Sequence, residues 1–115
     1  MDIKKLWLNL PVKDPIISRA FYEKVGFKLN QDYGNGPDSA SFFVGESKIV
    51  LMLFNESSFA GFVNGKVADL SNGNEVLFSL SADSKAEVDE MVQVVKQAGG
   101  TLFAEPRDSQ GWMYG

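Results

Sequence analysis

Residues 5–27 read KLWLNLPVKDPIISRAFYEKVGF, and this stretch decides the fold. Successive side chains of a β-strand point to opposite faces, and the residues before Asp14 alternate in that manner. One face carries the apolar row Leu6, Leu8, Leu10 and Val12. Asp14 and Pro15 are residue types favoured at the cap and first position of a helix, and Gly26 is a typical helix stop. The stretch therefore predicts a strand with a core-facing row, followed by a helix.

The opposite face of the same strand carries Trp7 and Asn9. A tryptophan beside an amide fits a small-molecule pocket, which is mostly apolar with a few placed polar groups. The alternative is that Trp7 is a structural residue in a core or an interface. The two interpretations of Trp7 lead to different functions, a ligand-binding site in the first case and a purely structural residue in the second.

The residue types that the chain lacks exclude several chemistries. It has 115 residues, the length of one domain, and contains neither cysteine nor histidine. Without cysteine there is no disulfide, thiol nucleophile or thiolate metal site. Without histidine the chain lacks the usual general base near neutral pH and the commonest neutral metal ligand. A Ser-His-Asp arrangement is excluded for the same reason.

Charge and hydropathy argue against nucleic-acid and membrane partners. The formal net charge is −4, and lysine and arginine do not cluster, whereas phosphate binding favours a basic patch. No apolar run approaches the ~20 residues of a membrane-spanning helix. The first residues also lack the features of a signal peptide. We therefore expect a soluble, cytoplasmic protein.

Alternation and helical spacing predict further elements along the chain. Strands are expected at residues 27–33, 40–44, 48–54, 75–83 and 101–106, and a turn at 108–111. Residues 55–74 have the composition of a loop, although they contain Phe59 and Phe62. Ser84 and Glu87 have the spacing of a capping box and open a second amphipathic helix, which ends at Gly99.

The second half of the chain repeats the first. When the helix caps Asp14 and Ser84 are superimposed, at a spacing of 70 residues, Trp7 falls on Leu77 and the two first strands coincide. Repeats of this kind indicate two copies of one structural unit. Each unit reads strand-helix-strand-strand-strand, except that the second has no counterpart of the last strand.

The repeat predicts the domain organisation. We expect a single domain over residues 1–115, with a first module at 1–55, a linker at 56–74 and an incomplete second module at 75–115. The missing last strand of the second module is expected beyond Gly115.

Three stretches carry a resemblance to a known family. These are NLPVKDPIISRAFYEKVGF at 9–27, EVDEMVQVVKQAGGTLFAEPRD at 87–108 and GWMYG at 111–115. With the repeated βαβββ unit, they resemble the vicinal-oxygen-chelate superfamily, in its bacterial glyoxalase-like branch. That superfamily includes glyoxalase I, bleomycin-resistance proteins, fosfomycin-resistance enzymes and extradiol dioxygenases. The resemblance implies an α+β fold in which two modules form a curved mixed sheet, or cup, with helices on the convex side. We also expect a homodimer, formed through strand or module pairing.

The resemblance further implies where metal ligands would lie. The first position, seven residues before the helix-opening Asp14, is Trp7, and its repeat equivalent is Leu77. The last strand of the first module offers Leu51 or Met52, and a fourth position would lie beyond residue 115. Indole nitrogen is a donor only, leucine has no lone pair, and a thioether suits Cu(I) rather than oxygen- and nitrogen-favouring ions. We therefore expect no metal and no cofactor.

The predicted function is metal-independent binding of a small organic molecule in the cup, as in bleomycin-resistance proteins. The expected cup residues are Trp7, Asn9, Met52, Leu77, Ser79, Trp112 and Tyr114. Phe59 and Phe62 are a possible lid; alternatively, they only attach the linker to the body of the domain. No catalytic residue is assigned.

Two alternatives stay open. The first is an enzyme, a lactoylglutathione-lyase-like or dioxygenase-like protein whose metal ligands lie beyond residue 115 or come from a partner chain. The second is an interaction module whose cup is filled by its own side chains.

Overall fold

The computed structural model describes residues 1–115 and contains three α-helices and six strands. The helices are α1 Pro15–Lys24, α2 Glu56–Val63 and α3 Lys85–Gln97. The strands are β1 Trp7–Val12, β2 Lys28–Leu29, β3 Ser39–Val44, β4 Ile49–Asn55, β5 Asp108–Ser109 and β6 Met113–Tyr114. A short 3-10 turn spans Leu70–Asn72. None of the helices has the length and apolar character needed to cross a bilayer.

A curved, mixed sheet of four strands organises the first half of the chain, in the order β1-β4-β3-β2. β1 runs parallel to β4, and the other neighbours are antiparallel. A parallel pair requires a crossover connection, which α1 and the β2-β3 hairpin provide here. Helices packed on a curved, mixed sheet are the predicted α+β architecture, which is thereby confirmed.

The core lies between α1 and one face of this sheet. The fully buried residues on that face are Ala40, Phe42, Leu51 and Leu53. Leu8, Leu10 and Val12 of β1 pack against this cluster, together with Tyr22 of α1. The predicted core-facing row is therefore confirmed from Leu8 onward. Leu6 precedes β1 and is 48% exposed.

Both predicted helix starts are present. The Asp14 side chain accepts a hydrogen bond from the Ile16 amide at 2.9 Å, with Pro15 in the first turn of α1. The Ser84 hydroxyl oxygen accepts from the Glu87 amide at 3.1 Å, so the capping interaction of α3 also forms. Satisfying otherwise unpaired amides in this way stabilises a helix by ~1 kcal/mol.

The predicted strands at 75–83 and 101–106 are wrong for this structure. Neither segment makes a backbone-backbone hydrogen bond, and only the short β5-β6 pair forms in the second half. Alternating side chains indicate which face of a strand is apolar, but a strand also needs a neighbour for its backbone groups. No segment of the chain lies in pairing position beside either stretch. The division into two modules therefore stays a prediction.

The predicted strand at 27–33 is much shorter than expected. Only Lys28–Leu29 forms β2, because the chain then turns away from the sheet at Asn30. The Asn30 side chain is fully buried and donates to the Ser41 hydroxyl at 3.1 Å. The Asn30 amide makes the last backbone bond to β3, to the Ser41 carbonyl at 2.8 Å. The Asn30 side-chain oxygen then accepts from the Asp32 amide at 3.0 Å, and this turn takes the chain out of the sheet.

The predicted loop at 55–74 contains a helix. The Asn55 side chain accepts from the Ser58 amide at 2.8 Å and caps α2, which ends at Asn64 in the left-handed region (φ 51°). The ring of Phe62 packs edge-on against that of Phe54, with centroids 4.9 Å apart. The glycines and serines of this segment obscured the helix, whereas its two phenylalanines were the correct signal of packing.

Candidate functional site

The face of the four-stranded sheet opposite α1, here called the open face, corresponds to the inside of the predicted cup. Trp7 and Asn9 project from it, because Leu8 and Leu10 point into the core. Register places Asn9 beside Met52 of β4, and Met52 beside Ser41 of β3. Three of the predicted cup residues, Trp7, Asn9 and Met52, therefore share one face.

The middle of the open face is covered by the loop at residues 30–36. Met52 is only 8% exposed and Ser41 is fully buried. Gly34 lies directly above them with φ +85°: a Cβ at this position would lie 2.8 Å from the Met52 Cε and 2.8 Å from the Ser41 Cβ. Only glycine fits so close an approach with a left-handed backbone. Met52 is thus a floor residue beneath the loop, whereas Asn9 stays exposed.

Side-chain amide groups hold this loop in place. The Asn35 side chain donates to the Asn30 carbonyl at 2.6 Å and accepts from the Ser41 amide at 3.0 Å. Arg19 of α1 donates through Nη2 to the carbonyls of Gly36 and Ser39, at 2.6 and 2.7 Å. Because hydrogen bonds from charged donors are the stronger kind, the loop is attached both to the sheet and to α1.

Trp7 lies at one end of the open face and is not a core residue. Its ring is 44% exposed, and its Nε1 donates to the hydroxyl oxygen of Tyr33, 3.1 Å away. Tyr33 is itself 46% exposed. The ammonium of Lys5 lies 5.2 Å from the centroid of the indole ring, in cation-π range.

The other end of the open face holds an aromatic pocket of about 510 Å³. Its lining consists of Asn9, Phe54, Phe59, Phe62 and Val63. The two predicted lid residues are therefore on α2, directly beside the predicted cup residue Asn9. Apolar walls with one amide group form the kind of site that takes a small, largely apolar ligand.

A second and larger groove, of about 1620 Å³, lies mainly in the second half of the chain, with residues 24–26 at the end of α1 also lining it. Its walls are the inward side of α3 and the segments around it, and Ser79, Trp112 and Tyr114 line it. Leu77 is 87% exposed and lines neither this groove nor the aromatic pocket. Six of the seven predicted cup residues thus divide between the open face and this groove, and Leu77 belongs to neither. That they line one shared cup stays a prediction.

The Tyr114 hydroxyl donates to the Asp89 carboxylate at 2.7 Å, beside the larger groove. This hydrogen bond raises the pKa of Tyr114 above its ordinary value of 10.0, because it holds the phenol proton against a negative charge. Lys85 donates to Asp108 at 3.0 Å in the same region. The polar groups of this region are thus paired with one another, Tyr114 with Asp89 and Lys85 with Asp108.

The residues at the implied ligand positions do not fit a metal ion. Trp7, Leu77 and Met52 supply no oxygen or imidazole donor. Elsewhere, no three Asp or Glu side chains lie close enough together to hold one. No metal-dependent step can therefore be derived from these residues.

Sequence reasoning missed Tyr33, Phe43 and Phe54 as residues of the open face. Phe43 and Phe54 lie in apolar runs of the predicted strands 40–44 and 48–54, where alternation does not fix a face. The register of Phe43 with Val50 and of Phe54 with Ser39 fixes it. Tyr33 lies at the end of the predicted strand 27–33, and Gly34 and Gly36 after it are the signal of a turn that brings its ring over the sheet.

Comparison with known proteins agrees with this fold. The profile of the Glyoxalase/Bleomycin resistance protein/Dioxygenase superfamily matches residues 5–114. A hypothetical protein from S. aureus of known structure is 32% identical, with a TM-score of 0.82 over 99% of this chain and 83% of the other. The chain therefore belongs to the glyoxalase/bleomycin resistance/dioxygenase superfamily.

Two more distant structures show the same fold. A glyoxalase-related enzyme from Fulvimarina pelagi has a TM-score of 0.75 at 18% identity, over 91% of this chain and 71% of that one. Lactoylglutathione lyase from Agrobacterium tumefaciens has a TM-score of 0.65 at 21% identity, over 95% and 79%. Among curated proteins, none matches the chain in sequence.

Proposed function

We propose that the open face binds a small organic molecule without the help of a metal ion. The observation that carries this proposal is the aromatic pocket beside Asn9, on the face where Trp7 is also exposed. An exposed indole and a pocket of phenylalanines provide flat apolar surfaces for stacking. The Asn9 amide provides both a donor and acceptors to orient the ligand.

The chemistry of the open face favours binding over acid-base catalysis. Its positions on β1, β4 and β3 are Trp7, Asn9, Pro11, Val50, Met52, Phe54, Ser39, Ser41 and Phe43. No carboxylate or imidazole is among them, and these are the groups that most often transfer protons in enzymes. A lyase or dioxygenase activity would need metal ligands or bases supplied from outside this set of residues. If such an activity were measured, it would replace the present proposal.

We propose α2 as the cover of the site. Phe59 and Phe62 line the aromatic pocket, and Phe62 is 68% exposed. Covering this exposed ring with a ligand would add to the binding free energy, by about 25 cal/mol per Å² of apolar surface removed from water. The ligand would thus lie between α2 and β1.

The test measures the binding of a library of planar aromatic compounds by tryptophan fluorescence and calorimetry. Phe62→Ala is expected to weaken any hit at least fivefold. The matched control is Ile17→Ala, because Ile17 is 69% exposed on α1, which packs on the other face of the sheet. Equal effects of the two substitutions, or turnover of a hit by the metal-free protein, would contradict the proposal.

We also propose that the protein is a cytoplasmic homodimer. The groove beside α3 supports association, since 13 of its 26 lining residues are hydrophobic and exposed apolar surface commonly marks an interface. Sedimentation velocity over a concentration series tests the dimer, and a single monomeric species throughout would contradict it.

A further inference from the structure

Three lysines gather at the Trp7 end of the open face. The Lys5 ammonium lies 5.2 Å from the Trp7 ring centroid and 5.5 Å from that of Phe43. Lys48 approaches the same Phe43 ring at 5.8 Å. Lys28 is the register partner of Phe43 and therefore points to the same face. In a chain whose formal net charge is −4, this end is a local concentration of positive charge.

The position of Lys5 follows from strand register. Trp7 pairs with Val50, and Val50 pairs with Phe43, so the three side chains form one row across β1, β4 and β3. An ammonium in range of both outer rings lies above Val50, which is fully buried. The charge is thus held over the sheet.

None of these lysines is neutralised by a carboxylate. The ion pairs of the chain are Lys85 with Asp108 and Lys96 with Glu105, both in the second half. Aromatic faces attract an ammonium without cancelling its charge. Tyr33 adds a further donor, because its oxygen accepts from Trp7 and its own proton is left for another acceptor.

We propose that this cationic end binds the anionic group of the ligand, which is then a planar aromatic acid. The inference rests on the proposed function. Trp7 and Asn9 are two residues apart, about 7 Å along a strand. One or two fused rings against Asn9 and the aromatic pocket would therefore bring a carboxylate, sulfonate or phosphate to Trp7, Lys5 and Tyr33.

A ligand can lie along β1 without displacing the loop at 30–36. Trp7 and Asn9 are exposed on β1, whereas the loop at 30–36 covers Met52 and Ser41 on the neighbouring strands. A ligand lying along β1 thus contacts the aromatic pocket at one end and the lysines at the other, with no rearrangement of the loop.

The test compares 2-naphthoate with its neutral analogue 2-naphthamide, by calorimetry at low and high salt. We expect naphthoate to bind roughly tenfold more tightly at low salt, and this advantage to shrink at high salt because exposed charges are screened. Lys5→Gln should remove most of this advantage, by weakening the binding of naphthoate several-fold more than that of naphthamide. Lys24→Gln, on α1, is the control for loss of one positive charge.

The outcomes separate this inference from the proposed function. If both compounds bind equally, or if Lys24→Gln weakens naphthoate as much as Lys5→Gln does, the anionic specificity is overturned and binding at the open face stands. If neither compound binds, both are overturned.

Discussion

The indole Nε1 of Trp7 donates to the hydroxyl of Tyr33 across 26 residues of sequence, at 3.1 Å. This bond joins the first strand to the loop at 30–36 while both rings stay about half exposed. A tryptophan used as core would be enclosed instead. Trp7 is thus oriented by the protein but still accessible, which is the condition for stacking on a ligand.

The first prediction concerns the loop that covers the open face. Gly34→Ala should destabilise the protein by about 2–4 kcal/mol, because the new methyl group clashes with Met52 and Ser41 and the backbone is left-handed. Gly36→Ala is the matched control, since a Cβ there meets nothing within 4 Å. Urea unfolding of both variants makes the measurement. Equal free energies of unfolding would show that the loop does not lie as described.

The second prediction concerns metal content. Trp7, Leu77 and Met52 supply no suitable ligands, so protein purified without chelators should hold no stoichiometric zinc, iron, nickel or manganese. Elemental analysis after dialysis measures this. About one ion per chain would mean that ligands come from elsewhere, and would favour the enzyme alternative.

The third prediction concerns the unpaired segments of the second half. Residues 75–83 and 101–106 make no backbone-backbone hydrogen bonds, so their amides should exchange with deuterium almost as fast as in an unfolded peptide. The exception is the Asp83 amide, which donates to the Glu87 carboxylate at 2.6 Å. Amides of β3 and β4 should be the most protected, because these strands contain the buried core. Hydrogen-exchange mass spectrometry distinguishes the two regions. Slow exchange at 75–83 would reveal a pairing partner, such as a second copy of the chain.

The fourth prediction is a pH dependence. The pKa of Tyr114 is raised by its hydrogen bond to Asp89. The bond therefore adds stability below the ordinary pKa of 10.0, and this contribution is lost as the pH rises through the raised value. In an ultraviolet titration, Asp89→Asn should move one tyrosine transition to lower pH. Tyr114→Phe should remove that transition, and an unchanged curve in Asp89→Asn would refute the interaction.

Local signals in the sequence predicted the helix ends and the core-facing row well. The caps Asp14 and Ser84, the glycine stops and the row from Leu8 to Val12 all act within a few residues, so the sequence displays them directly. The βαβββ pattern led to the correct superfamily for the same reason.

The features that the sequence did not predict depend on contacts between residues far apart in the chain. Residues 75–83 have the alternation of a strand but no neighbour, and alternation cannot reveal that. The loop that covers most of Met52 is equally hidden from the sequence, because it depends on the close approach that Gly34 allows. The bond between Trp7 and Tyr33 could not be anticipated from either residue alone.

The most direct test of the central claim, that Trp7 faces a ligand on the open face, is Trp7→Ala measured for both stability and binding. If Trp7 were fully packed in a core, this substitution would lower the free energy of unfolding by on the order of 3–5 kcal/mol. For a ring that is 44% exposed we expect a loss of about 1–2 kcal/mol, together with at least a tenfold loss of affinity for an aromatic ligand identified with the native protein. A loss of the full core size with unchanged affinity would contradict the account.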